Sequence, residues 1–257
     1  MKATLTVLGS GTSMGVPTIG CSCAVCLSTD PHDRRTRPSV LIEYNDRSVL
    51  IDTTPDFREQ ALRERIQRID AVLYTHTHAD HILGIDDLRP HSYHHRPGKL
   101  PLYAKPEAAE FLQNMFRYIF EAKYKFGGLP QVELHSLAGP LNLFGATFEP
   151  VTVIHGETEI YGYRFGSAAY LTDHSDIPEA SLAQLRDLDI LFLDALRHVP
   201  HPTHSTVEQS LRIVEQVKPR RAFFTHICHD LPHAATNAKL PPNVRLSHDG
   251  LKLEFEI

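Results

Sequence analysis

The sequence predicts a layered α/β fold, and three observations point there. Short apolar runs recur along the 257-residue chain and alternate with a few amphipathic helical stretches, as in strands and helices packed in layers. Several of those runs close on His or Asp, the way strands end at the ligand-bearing edge of an α/β sheet. A chain of this length can bury one substantial core, and 42% hydrophobic with 22% charged residues is an ordinary soluble composition. No low-complexity tract, repeat or Ser/Gly-rich linker divides it, so residues 1–257 read as one domain.

Taken in order, Leu5-Thr6-Val7-Leu8-Gly9-Ser10-Gly11 reads as a first strand closed by a glycine turn. Those glycines would let backbone approach a phosphate, but a tight turn already accounts for them. Ile19-Gly20-Cys21 superficially resembles a lipoprotein signal; the Gly, Ser and Pro residues between positions 9 and 17 break the apolar core that a signal peptide needs. No apolar run approaches the ~18 residues of a membrane span, and a cytoplasmic address follows by default. Residues 49–51 form a strand ending on Asp52, and residues 71–74 a buried strand running into a histidine-rich loop. Helices are expected over roughly 106–120, 178–186 and 206–216, the last capped by Ser205 or Thr206. Strands over 148–154, 168–172 and 222–225 close on His155, Asp173 and His226. Asp249-Gly250, between apolar runs at 244–246 and 251–253, is a hairpin signal.

The most informative stretch is Thr75-His76-Thr77-His78-Ala79-Asp80-His81. Even in a chain with 17 His, an accidental H-x-H-x-D-H directly after a strand is improbable. His76 and His78, two apart, face the same way in an extended segment, whereas the adjacent Asp80 and His81 are expected to point apart. One short loop can thus serve two metal centres.

This motif resembles the signature of the metallo-β-lactamase superfamily, and the resemblance implies an αββα four-layer sandwich with a dinuclear site. It further implies that His76, His78 and His155 hold one metal and that Asp80, His81 and His226 hold the other. Asp173 would bridge them, consistent with a carboxylate's two oxygens. Imidazole and carboxylate ligands without cysteine suit Mn or Zn, with Fe and Ni also allowed. By the same resemblance Asp52 orients a ligating histidine, as metal-bound imidazoles generally require.

The four cysteines include Cys21-x-Cys23-x-x-Cys26, too close for a relaxed disulfide framework and well spaced for zinc. The fourth ligand is open among His229, Cys228, His32 and His233. Gly20-Cys21-Ser22-Cys23-Ala24-Val25-Cys26 together with His226-x-x-His229 is similar to the PhnP type, the cyclic-phosphate phosphodiesterases of the carbon–phosphorus lyase pathway. That similarity implies a structural zinc on Cys21, Cys23, Cys26 and His229, with Cys228 a competing thiolate. It also implies that His204, in Pro202-Thr203-His204-Ser205-Thr206, lies beside the metals and contacts the substrate; neighbouring His198 and His201 leave the register open. Arg89 is weighed as a phosphate contact against a surface ion pair, and Asp249 as a family-like site residue against a plain turn.

The expected enzyme is therefore a metal-dependent phosphodiesterase acting on small phosphodiesters such as ribosyl 1,2-cyclic phosphate or 2′,3′-cyclic nucleotides. A hydroxide held between two cations would attack phosphorus, with Asp80 and Asp173 holding the metals and His204 as general acid. Three rivals stand beside it: an RNA-processing nuclease of the same superfamily, a β-lactamase or thioester hydrolase, and a non-catalytic zinc-stabilised binding module. Net charge −5 without a basic tract disfavours tight nucleic-acid binding. A small phosphodiester is the expected partner, no membrane association is expected, and a homodimer is allowed.

Overall fold

The computed structural model describes residues 1–95, 98–121 and 127–257. Its first half lays down β1 (Lys2–Gly9), β2 (Ser39–Tyr44), β3 (Arg47–Ile51), α1 (Phe57–Glu64), β4 (Ala71–Leu73), α2 (Ala79–Ile82), α3 (Arg89–His94), β5 (Leu100–Ala104), α4 (Pro106–Met115), α5 (Arg117–Phe120) and β6 (Val132–Ser136). The second half adds β7 (Leu141–Leu143), β8 (Ala146–His155), β9 (Thr158–Phe165), β10 (Ala168–Leu171), α6 (Glu179–Leu182), β11 (Ile190–Asp194), α7 (Val207–Val217), β12 (Arg221–Thr225), α8 (His233–Asn237) and β13 (Val244–Leu246). The last strand, β14 (Lys252–Glu256), returns to the first sheet, giving the orders β14-β1-β2-β3-β4-β5-β6 and β13-β12-β11-β10-β9-β8-β7.

Side-chain alternation builds the layers. In β2, Val40, Ile42 and Tyr44 join the core between the sheets, while Leu41 joins the outer cluster beneath α1 and α4. In β11, Ile190 and Phe192 face the other sheet, while Leu191 and Leu193 pack outward with Val207 and Val214 of α7. Strands buried on both faces read as unbroken apolar runs, which is why β3, β4, β10 and β11 are so apolar. The result is the αββα sandwich. No helix among the described residues is long and apolar enough to cross a membrane.

Several expectations change. The helix expected over 106–120 breaks at Phe116, whose φ of −105° and ψ of 39° separate α4 from α5. The 178–186 helix is a single α turn, α6, continued by a 3₁₀ turn at Ala183–Leu185. The Asp249-Gly250 hairpin does not form: β13 pairs with β12 of one sheet and β14 with β1 of the other. The turn signal is local, whereas the partner is chosen by the two open sheet edges. Thr206, not Ser205, caps α7, in a reciprocal capping box with Gln209. At the first turn, a Cβ on Gly9 would lie 1.9 Å from the Arg37 carbonyl oxygen, so glycine serves chain crossing there.

Candidate active site

Strand ends from both sheets converge on one cavity. Asp52 follows β3, and His76 and His78 follow β4. His155 closes β8, Asp173 follows β10, and His226 follows β12. Asp52, Asp173 and His226 have φ of 66°, 56° and 57°. That left-handed region is uncommon for non-glycine residues. At each of these strand ends the chain turns sharply and a polar side chain faces the site.

Two clusters result, each with its ligand atoms within 4.8 Å of one another: His76, His78, His155 and Asp173, and Asp80, His81, Asp173 and His226. Asp173 belongs to both, with Oδ1 3.3 Å from His81 Nε2 and Oδ2 3.1 Å from His226 Nε2. The grouping is the one the family resemblance implied. The expected divergence of Asp80 and His81 does not occur, because Asp80 Oδ2 and His81 Nε2 are 3.3 Å apart. These two residues lie on α2, not in an extended loop, and the longer imidazole reaches the carboxylate's side.

Supporting contacts fix the imidazoles. Fully buried Asp52 accepts from the Thr75 N–H at 2.8 Å and lies 2.7 Å from His81 Nδ1, aiming His81 Nε2 into the cluster. His155 Nδ1 donates to the Thr203 carbonyl at 2.8 Å. Among the described residues, His76 Nε2, His81 Nε2, His226 Nε2 and Asp80 Oδ2 are buried without a hydrogen-bond partner. Buried polar atoms are almost always satisfied, and two cations would satisfy this set. The local electrostatics ask for the same charge. Burial opposes ionisation at Asp80 and Asp173, yet the neighbouring imidazoles hold both carboxyls well below the usual range. Burial likewise disfavours imidazolium at His226, but the Asp173 carboxylate raises it to about 9. The donor set fits divalent metals.

His204 lies beside both clusters, stacked on His226 at a ring separation of 4.5 Å and edge-on to His155 at 4.8 Å. Of the three histidines in its segment it is the one lining the metal cavity, which holds about 580 Å³. His204 Nδ1 sits 2.6 Å from Asp194 Oδ2, and Asp194 is fully buried at the end of β11. Burial pushes the Asp194 carboxyl up and the His204 imidazole down to about 4. Asp194 was missed in the sequence, although Ile190-Leu191-Phe192-Leu193-Asp194 repeats the apolar run closing on a carboxylate. His174 was missed too; it is fully buried behind Asp173, with Nδ1 3.1 Å from Ser205 Oγ.

Two weaker expectations fall away. Arg89 Nη1 donates to the Gly128 carbonyl at 2.8 Å and does not line the cavity, because α3 carries it away from the strand ends. Asp249 is a fastener. Its Oδ1 accepts from Ser10 N at 2.9 Å and its Oδ2 from Thr36 Oγ1 at 2.6 Å, which uses its lone pairs away from the cavity.

A separate donor cluster joins Cys21, Cys23, Cys26 and His229. His229 Nδ1 lies 3.2, 3.5 and 3.4 Å from the three sulfurs. A tetrahedral zinc with Zn–S near 2.3 Å and Zn–N near 2.0–2.1 Å implies edges of about 3.6 Å, so the four atoms already approximate that shape. Cys228 lies outside the cluster with Sγ 3.4 Å from Asp230 Oδ2, and the His32 and His233 rings meet at a tilt, 4.7 Å apart. Buried Arg35 ties this region to the 226–233 segment, donating to the Cys228 and Leu231 carbonyls at 3.0 and 2.8 Å.

Comparison with known proteins agrees with this geometry. Residues 47–227 match the family model of the β-lactamase superfamily domain. A crystal structure described as a new diphosphatase from the PhnP family superposes with a TM-score of 0.94 at 64% identity, covering 99% of this chain and 98% of that one. An octanoyltransferase of Porphyromonas gingivalis is 39% identical over 251 residues, covering 96% of this chain and 50% of that protein. A ribonuclease Z of Bradyrhizobium diazoefficiens is 28% identical over 145 residues, covering 54% of this chain and 47% of that protein. The chain thus spans about half the length of the curated relatives it matches. With the superfamily model matched and a PhnP-family structure aligned over nearly its whole length, the chain belongs to the PhnP family of the β-lactamase superfamily.

Proposed function

We propose that this protein hydrolyses small phosphodiesters, cyclic ribose phosphates such as ribosyl 1,2-cyclic phosphate or 2′,3′-cyclic nucleotides foremost. The observation that carries the reading is the pair of donor clusters sharing Asp173, with the His204–Asp194 pair in the same cavity. In this reading His76, His78, His155 and Asp173 hold one divalent metal, Mn or Zn, and Asp80, His81, His226 and Asp173 hold the second. Bound there, the metals would acidify a water and neutralise phosphoryl oxygens. Asp52 keeps His81 in one tautomer, and the Thr203 carbonyl does the same for His155. With the Asp194 carboxyl pushed up and the His204 imidazole pushed down, Asp194 keeps the proton between them and donates to Nδ1. His204 therefore carries its own proton on Nε2 and would give it to the departing alkoxide while taking the Asp194 proton at Nδ1, a step worth ~10²–10⁴-fold. Cys21, Cys23, Cys26 and His229 would hold a structural zinc outside the reaction.

A second reading rests on the 64% identical neighbour, described as a diphosphatase, which favours hydrolysis of a phosphoanhydride. Octanoyl transfer is not taken over, because the chain matches only half of the protein that bears that name. The test is hydrolysis of 2′,3′-cyclic nucleotides, ribosyl cyclic phosphate, a dinucleoside diphosphate, a β-lactam and a precursor transfer RNA, with added Mn²⁺ or Zn²⁺. Cleavage of the cyclic phosphates is expected. Cleavage of the transfer RNA or the lactam alone would overturn the proposal, and cleavage of the diphosphate alone would select the second reading.

A further inference from the structure

A hollow of about 410 Å³ lies far from the metal cavity, at the opposite ends of two strands that lead to it. Arg47 opens β3 and Ile69 precedes β4, and both line this hollow. The same two strands run on to Asp52 and His76 at the metal site. The extended chain from Arg47 to Asp52 spans roughly 15 Å, and the two hollows share no wall residue. The end of α3 and the turn after β7 complete the walls.

The charge here runs against that of the chain, which is −5 overall. Arg47 and Arg68 line the hollow with His91, His94 and His95, and no carboxylate does so among the described residues. Both guanidiniums share one counter-charge, the fully buried Asp70. Asp70 Oδ1 accepts from Arg47 Nη1 at 2.9 Å and from Arg68 Nε at 2.6 Å, and Oδ2 accepts from the Ser48 N–H at 2.9 Å. The trio keeps a net positive charge before any imidazole is protonated. Arg47 Nε and Nη2 and Arg68 Nη1 make no hydrogen bond among the described residues. The Arg47 guanidinium lies 5.1 Å from the centroid of the Phe144 ring, which also lines the hollow.

We infer that this hollow is an anion site for a phosphomonoester with a flat organic part, its phosphate held by Arg47 and Arg68. The site is separate from the metal cavity and does not depend on the reading given to that cavity. Guanidinium forks match phosphate oxygens, and one buried carboxylate holds both forks in place before a ligand arrives. That lowers the ordering cost of binding. A phosphomonoester carries about −1.5 to −2 charge at neutral pH, more than a diester, so the uncompensated charge favours it. The hollow is larger than a phosphate ion, and the imidazoles and Phe144 offer flat faces to a ring.

Histidine side-chain NMR of the zinc-loaded protein tests this, with phenyl phosphate as the probe at neutral pH and fixed ionic strength. His94 and His95 report on this hollow, whereas His78, His155 and His204 report on the metal cavity. Saturable shifts at His94 and His95 are expected with phenyl phosphate. Inorganic phosphate should act on the same residues severalfold more weakly, and chloride should not saturate them. Arg68→Gln should fold normally by Tm, because Arg47 and Ser48 still satisfy Asp70. It should weaken the His94 and His95 response about fivefold or more and leave that of His155 and His204 unchanged. Shifts confined to the metal cavity, an equal response to chloride, or unchanged affinity in Arg68→Gln would overturn the site. Saturation of His94 and His95 by further zinc, with no response to phenyl phosphate, would overturn it too and make the imidazoles metal ligands.

Discussion

At the residue scale, the site depends on which atom of each side chain is already committed. His81 is held through Nδ1 by Asp52, His155 through Nδ1 by Thr203 and His204 through Nδ1 by Asp194. Each therefore offers Nε2 to the cavity, and the partner decides the tautomer. Asp173 has the least replaceable position, because both clusters use it. Asp173→Ala is expected to lose metal from the active site and nearly all activity while staying folded. Elemental analysis and circular dichroism check this, and a variant with wild-type metal content and rate would remove Asp173 from the site. His204→Ala should slow turnover by ~10²–10⁴-fold with metal content unchanged. Asp194→Asn should slow it less, and the double variant should be no slower than His204→Ala, because Asp194 acts only through His204. Additive losses in that cycle would give Asp194 a separate role.

At the element scale, the segment after β12 carries two duties within four residues. His226 belongs to the His/Asp clusters and His229 closes the cysteine cluster, so both donor sets share one short stretch of chain. Arg35 adds a second tie through the Cys228 and Leu231 carbonyls. Structural zinc contributes folding free energy directly, on the order of 10 kcal/mol in small zinc peptides and less where a large core already exists. Cys23→Ser is therefore expected to lower zinc content by one per chain and lower the Tm, with kcat per folded, metal-loaded molecule reduced far less than in His204→Ala. Unchanged zinc and Tm in that variant would argue against a structural zinc. The contrast between the two variants separates an element that shapes the protein from a residue that acts on substrate.

At the scale of the whole molecule, the sandwich gathers chain segments that are far apart in sequence. His32, His233 and His248 meet with ring separations of 4.7, 4.3 and 5.7 Å, next to buried Arg35. Burial, then the charges of His32, Arg35 and His248, press His233 down to about 4, with Asp30 opposing. A histidine with a folded pKa below its unfolded value binds more protons when unfolded. Its stabilising effect is present above pH ~6.5 and lost as pH falls toward 4. Thermal unfolding followed from pH 7.5 to 4.5 should show a smaller acid loss of Tm in His233→Gln than in the wild type. Parallel curves for the two proteins would place the acid sensitivity elsewhere.

The sequence by itself determined the strands and the His and Asp residues that close them. An apolar run buried on both faces and closing on His or Asp is legible because burial and site chemistry both act through single positions, as at His155, Asp173 and His226. The same signal at Asp194 was present and went unread. The αββα layering and the sorting of ligands into two groups came only with the family resemblance, since no local pattern says which strands share a sheet. Tertiary structure alone decided three further things. It chose partners for β13 and β14 in different sheets, because open edges, not the Asp249-Gly250 turn, set pairing. It placed Asp80 and His81 in one cluster, because they lie on a helical turn. It also moved Arg89 away while bringing Glu107, Glu157 and Glu159 to one hollow beside the cavity. Charges on surface helices and turns leave no periodic trace in the sequence, so their convergence is a property of packing.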